Sequence, residues 1–458
     1  MQGTTRFALP ARLLKLIQRQ ELRKIVGNTG WLFAERILRM GLSFIVLVWL
    51  ARYLGPEQFG TYNYAIAFTL LFSELTTLGL NAILVRDIVN SPEHRNATLG
   101  TAFVMRLLGG SLSLGFAALI IGWIRPDDQL VRLLVVIVAT GQVFRAFEVI
   151  DFHFQSRVES KYVVIAKAIA FAITSLTTVV LIITNATLPA FASVKAAEFI
   201  LTGLGLALMY RLKGNFLSAW RFQAERARTL IGQSWPLILS GFGAAIYYKI
   251  DQVMLGEMVG EAAVGVYAVA AQLSEVWYFI PLAIVTSTFP SLLESRKHHL
   301  ATYHKKLQGL YNLLAVLALI IAIIVALLST PLVALLYGEA FREAGMILAI
   351  HVWASVFIFM RAALSKWLIS ESLTIFSLST HSLGALSNIL LNLFLIPQYG
   401  TLGAATATVI SYAIAGYLAL FVHPKTWQPA RMMTLALFLP LRSLLILPTF
   451  FLRRSYRS

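Results

Sequence analysis

The sequence contains no cysteine and few charged residues. Of its 458 residues, 13% are charged and 58% are hydrophobic, whereas soluble domains carry about 25% charged residues. The absence of cysteine excludes disulfides and thiolate metal sites. The scarcity of charge indicates that water is not the only solvent of this chain, so the composition predicts a membrane protein.

Two features that would support enzymatic chemistry are also missing. The sequence has no GxxxxGK[ST] phosphate loop, which argues against a built-in ATPase. It also has no large domain outside the membrane and no acidic pair in a soluble loop that would support glycosyl transfer. We therefore expect a chain that is not an enzyme and needs neither a cofactor nor a metal.

Long apolar runs dominate what is present. Each is about 20 residues, which is enough for a helix to cross a hydrocarbon layer of roughly 30 Å, and the ten-residue alternation of a membrane barrel is absent. The sequence predicts an all-α polytopic membrane protein with about twelve spans. Their predicted positions are 29–52, 58–81, 102–124, 130–150, 163–184, 188–210, 234–256, 263–289, 308–330, 343–368, 374–396 and 402–422.

The positive charge is distributed unevenly among the connections. The formal net charge is +17. On the connections expected on the side of the membrane opposite the two basic tails, however, the only basic residues are Arg52, Arg125 and Arg342. By the positive-inside rule, both termini are expected in the cytoplasm of a multi-pass protein of the cell's inner membrane. The charge is then explained by anionic lipid headgroups of the inner leaflet, and no nucleic acid partner is expected.

The longest inside connection divides the spans into two sets of six. It predicts an N-lobe at 29–210, a linker at 211–233 and a C-lobe at 234–422. A basic amphipathic tail (1–28) precedes the lobes, and a basic tail (423–458) follows them. Within the second tail, the apolar segment 432–452 is interrupted by Arg442 and two prolines. We therefore expect it to form an interfacial or re-entrant helix.

The two predicted lobes share a weak repeat after their first spans. Leucine, glycine, glycine and tyrosine occur in the same order in both lobes, which favours a parallel repeat of six helices. The corresponding residues are Leu54, Gly55, Gly60 and Tyr62 in the first lobe and Leu255, Gly256, Gly265 and Tyr267 in the second.

Several ionisable residues within the spans have simple explanations. A charge at the middle of a span costs about 2.5 to 3.5 kcal/mol, so each needs a partner or a route to the surface. Residues three or four apart can pair on one helix face, and basic residues near the inner surface can snorkel to it. The expected local pairs are Glu35 with Arg39, Arg145 with Glu148 and Lys195 with Glu198, and the expected snorkelling residues are Arg106 and Lys167.

Lys249 and Asp251 do not fit these explanations. Residues two apart lie on nearly opposite sides of a helix, so they are not expected to pair with each other. Lys249 is predicted to face an interior cavity, whereas Asp251 is expected to tie the outer end of its span to a neighbour. Because Arg and Lys bind phosphate and carboxylate oxygens, we expect a site for a diphosphate or an anionic sugar, formed by Lys249, Arg361, Arg39 and Arg36.

Polar and acidic residues supply the remaining candidates. A stripe on the eleventh span could contact sugar hydroxyls or join helices, and both alternatives stay open. Glu74 and Glu275 have no cation three or four residues away, so either could exchange a proton or compensate the cavity cations. Asp251 is a third candidate for ion coupling. The stripe consists of Ser377, His381, Asn388 and Asn392.

Four stretches together resemble one family. They are "LARYLGPEQFGTYNYA", "LGLNAILVRDI", "KIDQVMLG" with "VGVYAVAAQLSEVWYFIPLAIVTSTFP", and "IPQYGTLGAATATVIS". In order and spacing they resemble the Wzx-type flippases, the polysaccharide transporters of the multidrug/oligosaccharidyl-lipid/polysaccharide superfamily. The resemblance implies two six-helix lobes that form a V around a central cavity and work by alternating access.

The resemblance also implies a substrate. Wzx-type flippases move undecaprenyl-diphosphate-linked oligosaccharides from the inner to the outer leaflet for O-antigen, exopolysaccharide or capsule synthesis, coupled to an ion gradient or the membrane potential. Polysaccharide polymerases and glycosyltransferases are then expected partners. Two other functions stay open: a cation or drug antiporter of the same superfamily, which needs a net acidic cavity, and a membrane-embedded glycan polymerase or ligase.

Overall fold

A computed structural model of the chain describes the backbone of residues 11–439 and the side chains of residues 38–439 other than Thr374. This part of the chain is helical and contains no strand, so the predicted all-α class is confirmed. Its sixteen α-helices are α1 (Ala11–Leu71), α2 (Ser73–Thr77), α3 (Asn81–Asn90), α4 (Arg95–Ile124), α5 (Gln129–Val143), α6 (Val149–Ser156), α7 (Lys161–Ile183), α8 (Leu188–Leu212), α9 (Ala224–Met258), α10 (Glu261–Glu275), α11 (Phe279–His298), α12 (Leu300–Tyr337), α13 (Ala344–His351), α14 (Ala354–Ser370), α15 (Thr374–Gly416) and α16 (Trp427–Leu437).

The described helices include ten that are long and apolar enough to cross a membrane. Two of them bend at a glycine with positive φ, α1 at Gly55 (φ 68°) and α15 at Gly400 (φ 54°). Glycine accepts this backbone conformation without the clash of a Cβ atom. Each bend separates two predicted spans, so ten long helices accommodate the twelve spans expected from the sequence.

Other predicted spans are interrupted by short 3-10 turns. Phe144–Glu148 separates α5 from α6, and Val276–Tyr278 separates α10 from α11. Such tightened turns within a span often mark hinges. In the C-terminal tail, α16 covers the start of the predicted segment 432–452, and the rest of that segment lies outside the described residues.

The chain divides into two compact units. The first comprises the described residues of Met1–Leu50 together with Phe72–Ile238, and the second comprises Ala51–Leu71 together with the described residues of Leu239–Ser458. The C-terminal part of α1 therefore belongs to the second unit. The predicted lobe limits at 29–210 and 234–422 remain predictions.

Contacts inside the second unit explain why Ala51–Leu71 belongs to it. Arg52 donates from Nη2 to the carbonyl oxygen of Leu335 at 2.6 Å, and the rings of Phe59 and Phe341 meet edge to face at 5.9 Å. A hydrogen bond to a charged donor is among the stronger ones in proteins. These contacts fix the residues on both sides of Gly55 against α12 and the turn that follows it.

Two local ion pairs predicted from spacing are confirmed in the first unit. Arg145 Nε lies 3.1 Å from Glu148, and Lys195 Nζ lies 2.7 Å from Glu198. Both pairs join residues three apart, on the same helix face or across its 3-10 extension. The third expected pair, Glu35 with Arg39, involves a side chain outside the described residues.

The prediction that Arg106 snorkels to the inner surface is wrong, whereas for Lys167, whose side chain is 31% exposed, it stays a prediction. Arg106 is fully buried and donates to Glu148 at 2.9 Å and to the carbonyl of Thr76 at 3.1 Å. Lys167 pairs with Asp151 at 2.6 Å. A buried charge is tolerated where an opposite charge and hydrogen bonds replace water, and partners from other helices supply them here.

Candidate functional site

A small pocket lies in the second unit, where α9, α14 and α15 meet. We call it the tyrosine pocket because three tyrosines contribute to its wall. Apolar groups and one cation form most of the rest, a composition typical of sites that orient a ligand by a few polar contacts. Its lining residues are Tyr247, Tyr248, Phe357, Ile358, Arg361, His381, Tyr412, Ala415 and Gly416.

Arg361 supplies the positive charge of the pocket. Its guanidinium donates to the carbonyl oxygen of Ala415 at 2.8 Å and to the hydroxyl of Thr380 at 2.9 Å. Its Nε has no hydrogen-bond partner among the described residues, none of which forms an ion pair with it. Because a buried charge is stable only when it is compensated, this side chain is suited to an anionic ligand.

Aromatic rings line the same pocket as this guanidinium. Tyr247 stacks on Tyr412 with ring centroids 4.2 Å apart, and the edge of Tyr248 meets both rings. Tyr248 is 40% exposed, so its ring remains partly accessible. His381 also lines the pocket, and its Nδ1 is buried without a partner in the described chain. The wall therefore offers an apolar face and an unused polar atom beside the cation.

Lys249 and Glu275 form an ion pair in the same unit. Lys249 Nζ lies 4.0 Å from Glu275 Oε2, and their side chains are 25% and 33% exposed. The prediction that Lys249 does not pair with Asp251 is confirmed. Of the two roles foreseen for Glu275, this contact matches compensation of a cation.

Asp251 is buried among neutral donors. Its carboxylate accepts hydrogen bonds from Asn392 at 2.6 Å, from Thr408 at 2.5 Å and from Tyr267 at 2.9 Å. The side chains come from α15 and α10, so the expectation that Asp251 ties its helix to a neighbour is confirmed. No cation pairs with it among the described residues, which leaves the carboxylate charge balanced only by dipoles.

The polar stripe of α15 divides between two environments. His381 lines the tyrosine pocket, and the carbonyl of Ser377 accepts a hydrogen bond from Thr380, which binds Arg361. Asn388 and Asn392 are fully buried and belong to the Asp251 network, where Asn392 donates to Asn388 at 3.0 Å. The second half of the stripe, Asn388 and Asn392, therefore joins α15 to α9 through Asp251.

The remaining predicted site residues lie in the first unit. Arg39 is exposed and has an interaction partner, and the side chain of Arg36 lies outside the described residues. Glu74 accepts a hydrogen bond from Thr77 at 2.9 Å. Neither Arg39 nor Glu74 lines the tyrosine pocket.

Several site residues carry no strong sequence signal. Thr380, Thr408 and Tyr412 are ordinary residues for apolar helices, and only the fold brings them to Arg361, Asp251 and Tyr247. Tyr267 had a weak signal as a member of the internal repeat. Within the described residues, no group of three or more histidine or acidic side chains could hold a metal.

Comparison with known proteins places the chain among proteins of glycan assembly. Residues 25–296 match the model of a family described as "Polysaccharide biosynthesis protein". Two relatives from Haloferax volcanii are "Probable flippase AglR", 28% identical over 232 residues, and "Probable low-salt glycan biosynthesis flippase Agl15", 23% identical over 234 residues. Both matches cover 49% of this chain and 47% and 49% of the relatives, so the chain spans about half the length of these relatives.

A third relative is matched over more of its length. The "Capsular polysaccharide biosynthesis protein CapF" of Staphylococcus aureus is 20% identical over 398 residues, which are 85% of this chain and 97% of the relative. The regions of similarity thus extend from the first unit through most of the second.

Solved transporter structures share the fold. A multidrug resistance MATE family transporter in an inward-facing conformation aligns with a TM-score of 0.66 and 13% identity, over 87% of this chain and 95% of that one. The lipid II flippase MurJ aligns with a TM-score of 0.67 and 15% identity, over 88% and 90%. At these identities the likeness establishes the fold alone.

Proposed function

Because the chain belongs to the polysaccharide biosynthesis protein family, we propose that it is a flippase for a lipid-linked oligosaccharide. The diphosphate and its sugars enter from the inner leaflet while the lipid tail stays in the bilayer. The two units then change their relative position and release the glycan at the outer leaflet. The protein acts as a transporter for surface polysaccharide synthesis, and polymerases and glycosyltransferases supply or consume its substrate.

The observation that supports this proposal most directly is the buried charge of Arg361. An arginine inside a membrane span is costly, and such residues usually mark the path of a substrate or an ion. Arg361 has no acidic partner within the described residues and opens into a pocket. A phosphate is the natural ligand for it because the guanidinium can donate two parallel hydrogen bonds.

The pocket wall suits the sugar that follows the diphosphate. Tyrosine rings offer flat apolar surfaces together with hydroxyl groups, and Tyr248 presents a partly exposed ring beside Arg361. His381 adds a hydrogen-bonding nitrogen that has no partner in the described chain. We assign Ser377 and His381 to the neighbourhood of the sugar, whereas Asn388 and Asn392 serve Asp251.

Asp251 is our candidate for coupling transport to a gradient. A carboxylate among neutral donors can take up a proton or a small monovalent cation, and either would cancel its charge. Asn392 Oδ1 is buried without a partner among the described residues and could accept from, or coordinate, the incoming species together with the carboxylate. Glu74, half-buried beside Thr77, is the second candidate in the other unit.

The relatives support the transport function. AglR and Agl15 carry flippase in their names, and the fold is that of known transporters. The drug antiporter predicts a net acidic binding site, whereas the tyrosine pocket contains a cation. We therefore prefer an anionic, lipid-linked substrate, and we expect the protein to confer no drug resistance when it is overproduced.

The test is transport by the purified protein in proteoliposomes. The substrate is a polyprenyl diphosphate disaccharide, and its arrival at the opposite leaflet is followed with a membrane-impermeant lectin. We expect Arg361→Gln to abolish transport and Arg361→Lys to retain part of it, since lysine keeps the charge but not the planar fork.

A matched control removes an arginine elsewhere in the same unit. Arg296 pairs with Glu371 at 2.9 Å outside the pocket, so Arg296→Gln should transport normally. Full transport by a folded Arg361→Gln variant would overturn the proposed role of the pocket. Turnover of the disaccharide into longer glycans in detergent would instead favour a polymerase.

A further inference from the structure

Glu275 occupies an unfavourable place for an acid. It is the last residue of α10, immediately before the 3-10 turn Val276–Tyr278. The helix continues through this turn into α11, so Glu275 lies within a span, where a carboxylate needs a nearby cation. Lys249, on α9, supplies that cation.

The ion pair that results is loose and accessible. Its 4.0 Å separation is longer than the 2.6 Å between Lys167 and Asp151. No described residue accepts a hydrogen bond from the ammonium of Lys249, although lysine has three donors to offer. With a quarter of the Lys249 side chain exposed, a ligand with several oxygen atoms could reach it.

The pair also adjoins the tyrosine pocket. Tyr248 directly precedes Lys249 in the chain, lines the pocket with Arg361, and lies within electrostatic reach of both Arg361 and Glu275. A diphosphate that binds Arg361 carries a second phosphate, and Lys249 is the cation that follows the same tyrosine in the chain. Glu275 is the acid that such a second phosphate would have to replace.

We propose that Glu275 is a built-in counter-anion that a phosphate group of the substrate displaces from Lys249. This inference rests on the proposed function, and it assigns to Glu275 a role in setting affinity. With no substrate, Glu275 neutralises Lys249 and lowers the cost of an intramembrane cation. When the diphosphate arrives, its oxygens take the ammonium and Glu275 is released beside the turn between α10 and α11.

A consequence is that the wild-type site binds less tightly than it could. Glu275 competes with the ligand for Lys249, so the affinity for a diphosphate should rise when the carboxylate is removed. A flippase needs such moderation because it must release its substrate at the other leaflet. A purely structural ion pair would behave differently, since its removal would lower stability without improving binding.

The experiment measures binding of a soluble prenyl diphosphate to the full chain. Farnesyl diphosphate is titrated by calorimetry against the protein in nanodiscs of zwitterionic lipid, which leave no anionic headgroup to compete. We expect Glu275→Gln to tighten binding about two- to fivefold, the range for one partly exposed ion pair. Lys249→Gln should weaken binding, and adding Glu275→Gln to that variant should have no further effect.

Three controls make the outcome specific. Glu371→Gln removes the acid of the Arg296 ion pair, which lies outside the pocket, and should leave the affinity unchanged. Glu275→Asp keeps the charge but withdraws it from Lys249, so it should tighten binding by a smaller factor and serves if the glutamine variant does not fold. Inorganic pyrophosphate should bind more weakly than farnesyl diphosphate but gain the same factor, because Lys249 contacts phosphate in both.

The results separate this inference from the proposed function. If farnesyl diphosphate binds and Arg361→Gln weakens it while Glu275→Gln does not tighten it, the counter-anion role is overturned and the proposed function stands. If farnesyl diphosphate does not bind the wild type, both fail. A tightening seen with the prenyl compound alone would also overturn the inference, since it would arise from contacts with the lipid chain.

Discussion

Gly60 and Gly265, which hold corresponding places in the predicted repeat, pack backbone against backbone in the second unit. A Cβ atom on Gly60 would lie 2.8 Å from the amide nitrogen of Gly265, and one on Gly265 would lie 3.0 Å from the nitrogen of Gly60. Each would also overlap a carbonyl oxygen, that of Glu261 or of Pro56. Only glycine allows the two helices to approach this closely.

Replacing either glycine should separate these helices. We expect Gly60→Ala or Gly265→Ala to lower the apparent melting temperature in detergent, equivalent to a loss of about 1–3 kcal/mol, as for other overpacked contacts. Gly309→Ala is the control, because Gly309 is exposed on α12 with open space around it and alanine is the better helix former. Equal melting temperatures for Gly265→Ala and Gly309→Ala would contradict the packing described here.

Asp251→Asn should uncouple transport from its driving gradient while leaving the anion site intact. The amide has the size of the carboxylate but cannot take up a proton or balance a cation. In proteoliposomes, a sodium gradient and a pH gradient are applied separately to find which one stimulates the wild type. The variant should transport at the rate seen without a gradient, and farnesyl diphosphate should bind it as it binds the wild type.

The control for that prediction is another exchange of aspartate for asparagine. Asp128 caps α5 by accepting from the amide of Val131 at 2.9 Å, a role that asparagine also fills. Asp128→Asn should therefore keep the full stimulation by the gradient. If Asp251→Asn keeps it too, Asp251 has no part in coupling and serves to join α9, α10 and α15.

Glu148→Gln should strongly destabilise the first unit. The change leaves the fully buried guanidinium of Arg106 without its anion, and breaking a buried ion pair from one side costs about 3–5 kcal/mol. Arg145 loses the same partner. The apparent melting temperature of the purified protein checks this, and Glu339→Gln, in an exposed pair with Arg342, should leave it unchanged. A Glu148→Gln variant as stable as Glu339→Gln would show that the pair contributes little.

These residues show which contacts a sequence can reveal. Spans follow from apolar length, and pairs such as Lys195 with Glu198 follow from helical spacing. Arg106 and Glu148 are 42 positions apart, and Asp251 and Asn392 are 141 apart. Arg106 and Asp251 are ionisable residues with no opposite charge three or four positions away, which signals that each has a partner elsewhere. The fold alone decides which one it is.

The same limit applied to the polar stripe of α15. Its spacing placed four residues on one helix face: Ser377, His381, Asn388 and Asn392. Spacing within one helix does not show which neighbouring helices that face contacts. A helix of this length passes different neighbours along its course, so one face can serve a pocket at one end and a buried carboxylate at the other. The sequence could identify the polar face of α15, but it could not show which of its residues line the pocket and which contact Asp251.

The absence of cysteine allows a direct test of the predicted orientation. Ser218 lies in the linker expected inside the cell, and Asp127 lies in a short connection expected outside; both are exposed. Single cysteines at these positions are the only thiols in the protein, so labelling needs no correction for native ones. A membrane-impermeant maleimide should label Asp127→Cys in intact cells and Ser218→Cys only after the membrane is opened. The reverse pattern would place the basic linker and Arg361's end of α14 at the outer leaflet, and a substrate made in the cytoplasm could not then enter the tyrosine pocket as proposed.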